Sequence, residues 1–177
     1  TSEGEAKALG RPLVAAVVCT IREKSGLPVF LNSDHTHSLA EVKEAVAAGY
    51  DAILFDGSKL SLEENIKATK EVVKFVKSKN KNILVEGEMG YIGSSSVLLD
   101  RIPDGAAQTP EELTQPEVAA RFVKETGVDL FAPAVGNIHG MLKGGQDPAL
   151  DIERIRIIGN RLLERPADII ERPAGKI

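Results

Sequence analysis

The sequence predicts an α/β fold made of about four parallel βα units, part of a (βα)8 TIM barrel. Three observations carry this reading. Short apolar runs recur along the chain, helical stretches with capping signals separate them, and each run ends in polar residues. None of the runs alternates cleanly with polar residues, so each reads as a strand buried on both faces. Strands and helices in alternation, joined by right-handed crossovers, give a parallel sheet. An open doubly wound sheet and a (βα) barrel both suit that order. No G-x-G-x-x-G follows any run, which argues against the dinucleotide-binding form of the first.

The elements follow in order. A helix opens at Ser2-Glu-Gly-Glu5, a capping box in which the serine hydroxyl and the glutamate satisfy each other's backbone donors. The predicted strands are Pro28–Leu31, Ala52–Phe55, Ile83–Val85 and Leu130–Val135. After the first strand, Ser38-Leu-Ala-Glu41 is a second capping box, and Leu39, Val42 and Val46 share one helix face. Ser61-Leu-Glu-Glu64 repeats the device, with an apolar stripe at Leu62, Ile66, Thr69, Val73 and Val76. A further helix starts at Pro116, packs through Ala119, Phe122 and Val123, and stops at Gly127. The stretch from Glu88 to Gln115 lacks periodicity and reads as a functional or mobile loop. Leu150–Arg156 begins a last helix. Beyond Gly159 come two Arg-Pro pairs and a weak amphipathic pattern over Ala167–Ile170, with no clear strand. Four strands are about half of a closed eight-stranded barrel.

Composition narrows the function. The 177 residues fit a single domain, 1–177, long enough to bury a core. The formal net charge is −4, and acidic and basic residues are mixed, so no basic stripe exists to bind nucleic acid. No apolar run approaches the roughly 18 residues of a membrane span, and no signal peptide opens the chain. The lone cysteine, Cys19, lies in the apolar run Val14–Cys19, which predicts a buried, inert thiol. A reducing cytoplasm is the expected setting.

The candidate chemistry lies at the strand ends. The four predicted strands run into Asn32-Ser-Asp-His35, Asp56-Gly-Ser58, Glu86-Gly-Glu88 and Gly136-Asn-Ile-His-Gly140. In parallel α/β folds the carboxyl ends of the strands form the binding face. Any one of these residues alone would be a turn former or a cap; four such endings in four strands predict a functional rim. His35 and His139 are candidate metal ligands, because neutral imidazole suits zinc and similar ions. Glu88 and Asp56 could add ligands or form a second metal position. Asp34, beside His35, is a candidate general acid/base near the metal, or else orients a ligand or caps the following helix. His37 reads as exposed or capping that same turn. Gly140 and the Lys143-Gly144-Gly145 cluster could aim backbone N–H groups and a positive charge at a phosphate.

These residues resemble the class II, metal-dependent fructose-bisphosphate aldolases and their ketose-bisphosphate relatives. The motifs are Asn32-Ser-Asp34-His35, Phe55-Asp56-Gly57-Ser58, Glu63-Glu64-Asn65-Ile66 and Val85-Glu86-Gly87-Glu88-Met89-Gly90, then Gly127-Val-Asp129, Ala134–Gly140 and Lys143-Gly144. Their order and spacing agree from Thr1 to about Arg156, while the tail from Ile157 shows no likeness. The resemblance implies that His35 and His139 bind a catalytic zinc (or another divalent metal), with Asp56 and Glu88 at an alternative or second metal position. Asp34 would exchange the proton of the C4 hydroxyl, Ser2 would contact the substrate, and Gly140 would lie against its phosphate. The implied reaction cleaves fructose 1,6-bisphosphate to dihydroxyacetone phosphate and glyceraldehyde 3-phosphate, with the metal as Lewis acid.

The chain departs from the family in lacking the first barrel strands, the closing strand and the His-Gly-Gly-Ser-Gly segment that supplies a third zinc histidine. The base that takes the C1 proton has no counterpart between Gly93 and Gln108. Asn32 stands where many relatives carry histidine. Two readings follow: a lyase made whole by homo-oligomerisation or a further segment, and an inactive half-barrel with at most a weak metal site. A half-barrel leaves two open sheet edges, which predicts an oligomer. A third reading, a metal-dependent hydrolase on the same barrel, predicts ester or amide hydrolysis instead.

Overall fold

Four parallel strands form one sheet in the order β1-β2-β3-β5: β1 (Asn32–Thr36), β2 (Ala52–Asp56), β3 (Leu84–Met89) and β5 (Leu130–Pro133). The structure, a computed structural model, describes residues 1–93, 98–145 and 147–163. Helices α3 (Leu39–Ala48), α4 (Leu62–Lys79) and α5 (Pro116–Thr126) connect successive strands, as predicted. Ser38 and Ser61 cap α3 and α4 in full capping boxes, and Gly127 closes α5 in a left-handed conformation. The last helix, α6 (Ile152–Leu163), follows β5. The Arg-Pro pairs and the Ala167–Ile170 pattern lie outside the described residues.

Register sorts the side chains into two faces. Ile53, Phe55, Val85 and Met89 join Val42, Ile66, Val72, Val76 and Phe122 in one buried cluster on the helix side. Gly87 makes room for this packing, since a Cβ there would sit 2.8 Å from the Phe122 ring. Strand alternation turns the intervening residues, Leu54, Asp56, Glu86 and Glu88, toward the opposite face. That second face is only partly covered. Leu84 and Leu130 are exposed, so the expectation of strands buried on both faces fails at this end of the sheet.

Three further expectations are corrected. Pro28–Leu31 is not a strand, and Phe30 is exposed. The Asp51 carboxylate takes the Leu31 N–H, and the ladder with β2 begins only at Asn32. The strand is therefore built from the polar segment that follows the apolar run. The N-terminal helix is two helices, α1 (Glu3–Leu9) and α2 (Arg11–Ser25), broken at Gly10, where φ is 82°. Cys19 is exposed rather than buried. α2 turns Val14, Ala15 and Val18 to the core, and Cys19 falls on the next arc of the helix, outside that face.

The long loop holds one short strand among the described residues, β4 (Leu98–Leu99), which pairs with β6 (Met141–Leu142). Two residues are too few to leave a periodic signal. The edge beside β1 is also partly covered, because Asp34 N–H donates to the Thr1 carbonyl at 2.8 Å and Ser2 bridges Asp34 in parallel. No described helix is long and apolar enough to cross a membrane.

Candidate metal centre

The site starts from an irregularity in β1. Asn32 and Ser33 pair with Ala52 and Ile53, but Thr36 pairs with Phe55, so Asp34 and His35 together stand against Leu54 alone. This is a β-bulge. His35 takes the extra turn with φ 49°, the only positive φ at a non-glycine position among the described residues. In a plain strand neighbouring side chains point to opposite faces. Here Asp34 and His35 both reach the same place, and their ligand atoms lie within 4.8 Å of each other and of a His139 ring nitrogen.

β2 and β3 supply the carboxylates. Asp56 and Glu88 are register partners at the ends of their strands, both buried. His35 Nδ1 lies 2.9 Å from Asp56 Oδ2 and 3.5 Å from Glu88 Oε2. Asp56 Oδ1 also accepts from the Ser58 N–H (3.0 Å) and hydroxyl (2.5 Å). Burial alone would raise the Asp56 pKa; the His35 and Ser58 hydrogen bonds outweigh it and hold the carboxyl down at about 2. An ionised Asp56 accepts a hydrogen bond from the Nδ1–H of His35, and this bond is the main cause that raises the His35 pKa. This fixes the tautomer and leaves Nε2 with its lone pair.

Glu88 is driven the other way. Burial first, then the Asp56 charge, pushes its carboxyl up to about 7. Its Oε1 is buried and has no hydrogen-bond partner among the described residues. An orphaned buried carboxylate oxygen beside the His35 imidazole and the Asp56 carboxylate is a donor set that a divalent cation satisfies. The residues fit such an ion. Glu86, one pleat earlier, is half-buried and also raised, by burial and then by Asp34.

His139 arrives on the loop after β5. Its N–H donates to the Ile92 carbonyl at 2.8 Å, and its ring meets the His35 ring edge-on, with centroids 4.7 Å apart. The loop turns at Gly136, where a Cβ would lie 2.4 Å from the Ala149 carbonyl oxygen. Asp34, His35, Asp56, Glu88 and His139 thus come together. Gly140 follows His139 with φ 107°. Lys143 instead pairs with Asp100 at 2.7 Å on the exposed β4–β6 ribbon. The Ser2 hydroxyl caps α1 by accepting from the Glu5 N–H. His37 is exposed, as expected, and its Nδ1 lies 3.2 Å from the Asp56 carbonyl oxygen.

Asn65, which is buried, braces the site from α4. Its Nδ2 donates to the Glu88 carbonyl at 2.9 Å, and its Oδ1 accepts from the Thr69 hydroxyl at 2.9 Å. A polar residue three positions from Leu62, on the apolar side of a helix, is the sequence signal for it.

Comparison with known proteins is consistent with this arrangement. A family model described as fructose-bisphosphate aldolase class-II matches residues 1–170, past the Ile157 limit read from the motifs. A fructose-bisphosphate aldolase of Helicobacter pylori is 35% identical over 159 residues, covering 88% of this chain and 49% of that protein. A 6-phospho-5-dehydro-2-deoxy-D-gluconate aldolase of Shouchella clausii is 36% identical over 151 residues, covering 84% and 47%. The crystal structure of the YdjI aldolase from Escherichia coli K12 superposes with a TM-score of 0.71 at 27% identity, over 91% of this chain and 52% of that one. The chain spans about half the length of the curated relatives it matches.

Proposed function

The chain belongs to the class II fructose-bisphosphate aldolase family, and on that premise we propose that it carries the metal and proton-transfer residues of an aldol cleavage. The substrate class is a ketose 1,6-bisphosphate, with fructose 1,6-bisphosphate giving dihydroxyacetone phosphate and glyceraldehyde 3-phosphate. One observation carries the reading: ligand atoms of Asp34, His35 and His139 lie within 4.8 Å of one another, and His35 also joins Asp56 and Glu88. A phosphorylated-sugar substrate fits a cytoplasmic setting.

His35, through Nε2, and His139 would hold the ion, with Glu88 at the alternative position beside His35 and Asp56, and zinc is the ion best suited to imidazoles and a carboxylate. When bound, it supplies Lewis-acid stabilisation of negative charge on the substrate's ketone oxygen. Asp56 holds the Nδ1 proton of His35 and keeps the ring oriented. Asp34 takes the proton of the C4 hydroxyl as the C3–C4 bond breaks, and returns it in condensation. Its bulge position puts that carboxylate beside the ion's ligands. Ser2, Gly140 and Lys143 contact the substrate and its phosphate, with Lys143 leaving Asp100 to do so.

Among the described residues only two imidazoles, His35 and His139, stand in the grouped ligand atoms, which favours a second reading as well, a non-catalytic half-barrel that binds metal weakly. The β5 edge and the exposed Leu84 and Leu130 support self-association, because they leave one side of the described sheet to be covered. Cleavage of fructose 1,6-bisphosphate with and without chelator separates the readings. The catalytic one requires chelator-sensitive turnover that His139→Ala and Asp34→Asn each remove. Metal binding without turnover establishes the second. A stable folded monomer by light scattering would refute self-association.

A further inference from the structure

The bulge that brings Asp34 and His35 together is braced from behind by a buried cation. Ser33 and Thr36 flank the two site residues, and each is 1% exposed. Three residues apart in a plain strand, their side chains would be separated by about 10 Å and point to opposite faces. Instead their hydroxyl oxygens lie 3.1 Å apart. The bulge folds them toward each other on the side away from the metal ligands. Into this pair reaches Arg11, the first residue of α2, whose Nη1 donates to Ser33 Oγ at 2.8 Å. Arginine can only donate, so Ser33 accepts there and is free to pass its own proton to Thr36 Oγ1.

Arg11 is 7% exposed. Its nearest carboxylate, the exposed Glu44, lies 3.6 Å from Nε, and its guanidinium carbon is 5.8 Å from the Tyr50 ring centre. A surface ion pair does not need the arginine buried, and a leucine would fill the same space without desolvating a charge. What the guanidinium does that an aliphatic side chain cannot do is anchor the hydroxyl pair that closes the bulge.

We propose that Arg11 is a positioning residue for the metal centre, acting through Ser33 and Thr36 to hold the β1 bulge and the left-handed His35. Without it, β1 relaxes toward regular pairing with β2. One of Asp34 and His35 then turns to the other face, because a one-residue slip reverses side-chain direction. The proposal rests on the metal-binding reading for its functional meaning, but the backbone effect on His35 exists with or without metal.

The test uses the full chain as Arg11→Met, Arg11→Lys and Thr36→Val, with circular dichroism as the check on folding. Two readouts follow: cobalt(II) affinity, and the imidazole nitrogen resonances of His35 in metal-free protein. Arg11→Met is expected to weaken cobalt binding by about tenfold to a hundredfold and to shift the His35 Nδ1 resonance as its bond to Asp56 is lost. Arg11→Lys, which keeps a donor, should retain part of both. Should Arg11→Met fail to fold, Thr36→Val carries the test, since it breaks the hydroxyl link while leaving the cation. Folded variants with wild-type His35 resonances and wild-type affinity would overturn the proposal, even if they melt earlier. If the wild type binds no cobalt, the metal reading fails, and the His35 resonances alone decide the role of Arg11.

Discussion

Asp56 and Glu88 face each other in register across β2 and β3, and their shared surroundings drive their carboxyls in opposite directions. Hydrogen bonds from His35 and Ser58 overcome burial and hold Asp56 at about 2, whereas burial and the Asp56 charge push Glu88 to about 7. The difference lies in donors. Asp56 has three, and the buried Oε1 of Glu88 has none among the described residues. Without metal, an ionised Glu88 costs stability, which is how a preformed cation site is expected to behave.

Glu88→Gln should therefore stabilise the metal-free protein and weaken metal binding together. The sign follows from the raised pKa. The folded state holds the Glu88 proton more tightly than the unfolded chain, whose ordinary value is 4.5, so the penalty is absent below that value. It grows as pH rises to about 7 and is constant above. Urea unfolding in excess chelator should show the variant ahead of wild type by about 1–3 kcal/mol at pH 8. The gap should shrink steadily toward pH 4.5. A gap that does not change with pH would contradict the burial argument.

Asp56→Ala should act on His35 as well as on the fold, since it removes the acceptor of three hydrogen bonds. The variant loses the acceptor that fixes the His35 tautomer, and removal of such a partner lowers metal affinity by about 10–100-fold. Asp56→Asn, whose amide oxygen still accepts, should fall between the two. Zinc affinity by chelator competition ranks the three proteins. An Asp56→Asn protein weaker than Asp56→Ala would contradict the tautomer argument.

Most of the fold, and the residues that cluster in the candidate site, can be read from residue types in order. Ser38-x-x-Glu41 and Ser61-x-x-Glu64 mark their helices because a capping box is a local bond pattern that needs no tertiary partner. His139 and Glu88 are legible as strand endings for a similar reason. What escapes is whatever depends on register. Nothing local shows that Asn32–Thr36, with its polar residues, is the strand and Pro28–Leu31 is not; the ladder with β2 decides that. The bulge is hidden equally well, since His35 adopts a left-handed backbone conformation that is uncommon at non-glycine positions and leaves no mark in the sequence pattern. Cys19 shows the limit of an apolar run as a burial signal: a helix packed on one side leaves part of the run outside.

Ser38→Ala tests the local part of that legibility. It removes the hydroxyl that accepts from the Glu41 N–H and leaves the Glu41 carboxylate without its hydroxyl donor. The expected loss is about 1 kcal/mol in unfolding free energy. Metal affinity should stay unchanged, because the cap is exposed and its bonds stay within the α3 turn. Ser61→Ala at the start of α4 should match it, and the two losses should add.

Gly57→Ala tests the packing that supports the site from the helix side. A Cβ at Gly57 would fall 2.1 Å from Asn65 Oδ1 and 2.6 Å from its Cγ, closer than atoms can pack. Asn65 cannot yield without cost, because its amide is tied to the Glu88 carbonyl and to Thr69. Displacing it breaks buried hydrogen bonds worth about 1–3 kcal/mol, on top of overpacking that costs about 1–3 kcal/mol. If the collision with Asn65 is the cause, then in an Asn65→Ala background the same glycine substitution should cost much less. The cycle of four proteins should then show a coupling of at least about 1 kcal/mol. Additive losses would mean that the Gly57 backbone, rather than its contact with Asn65, is what alanine disturbs.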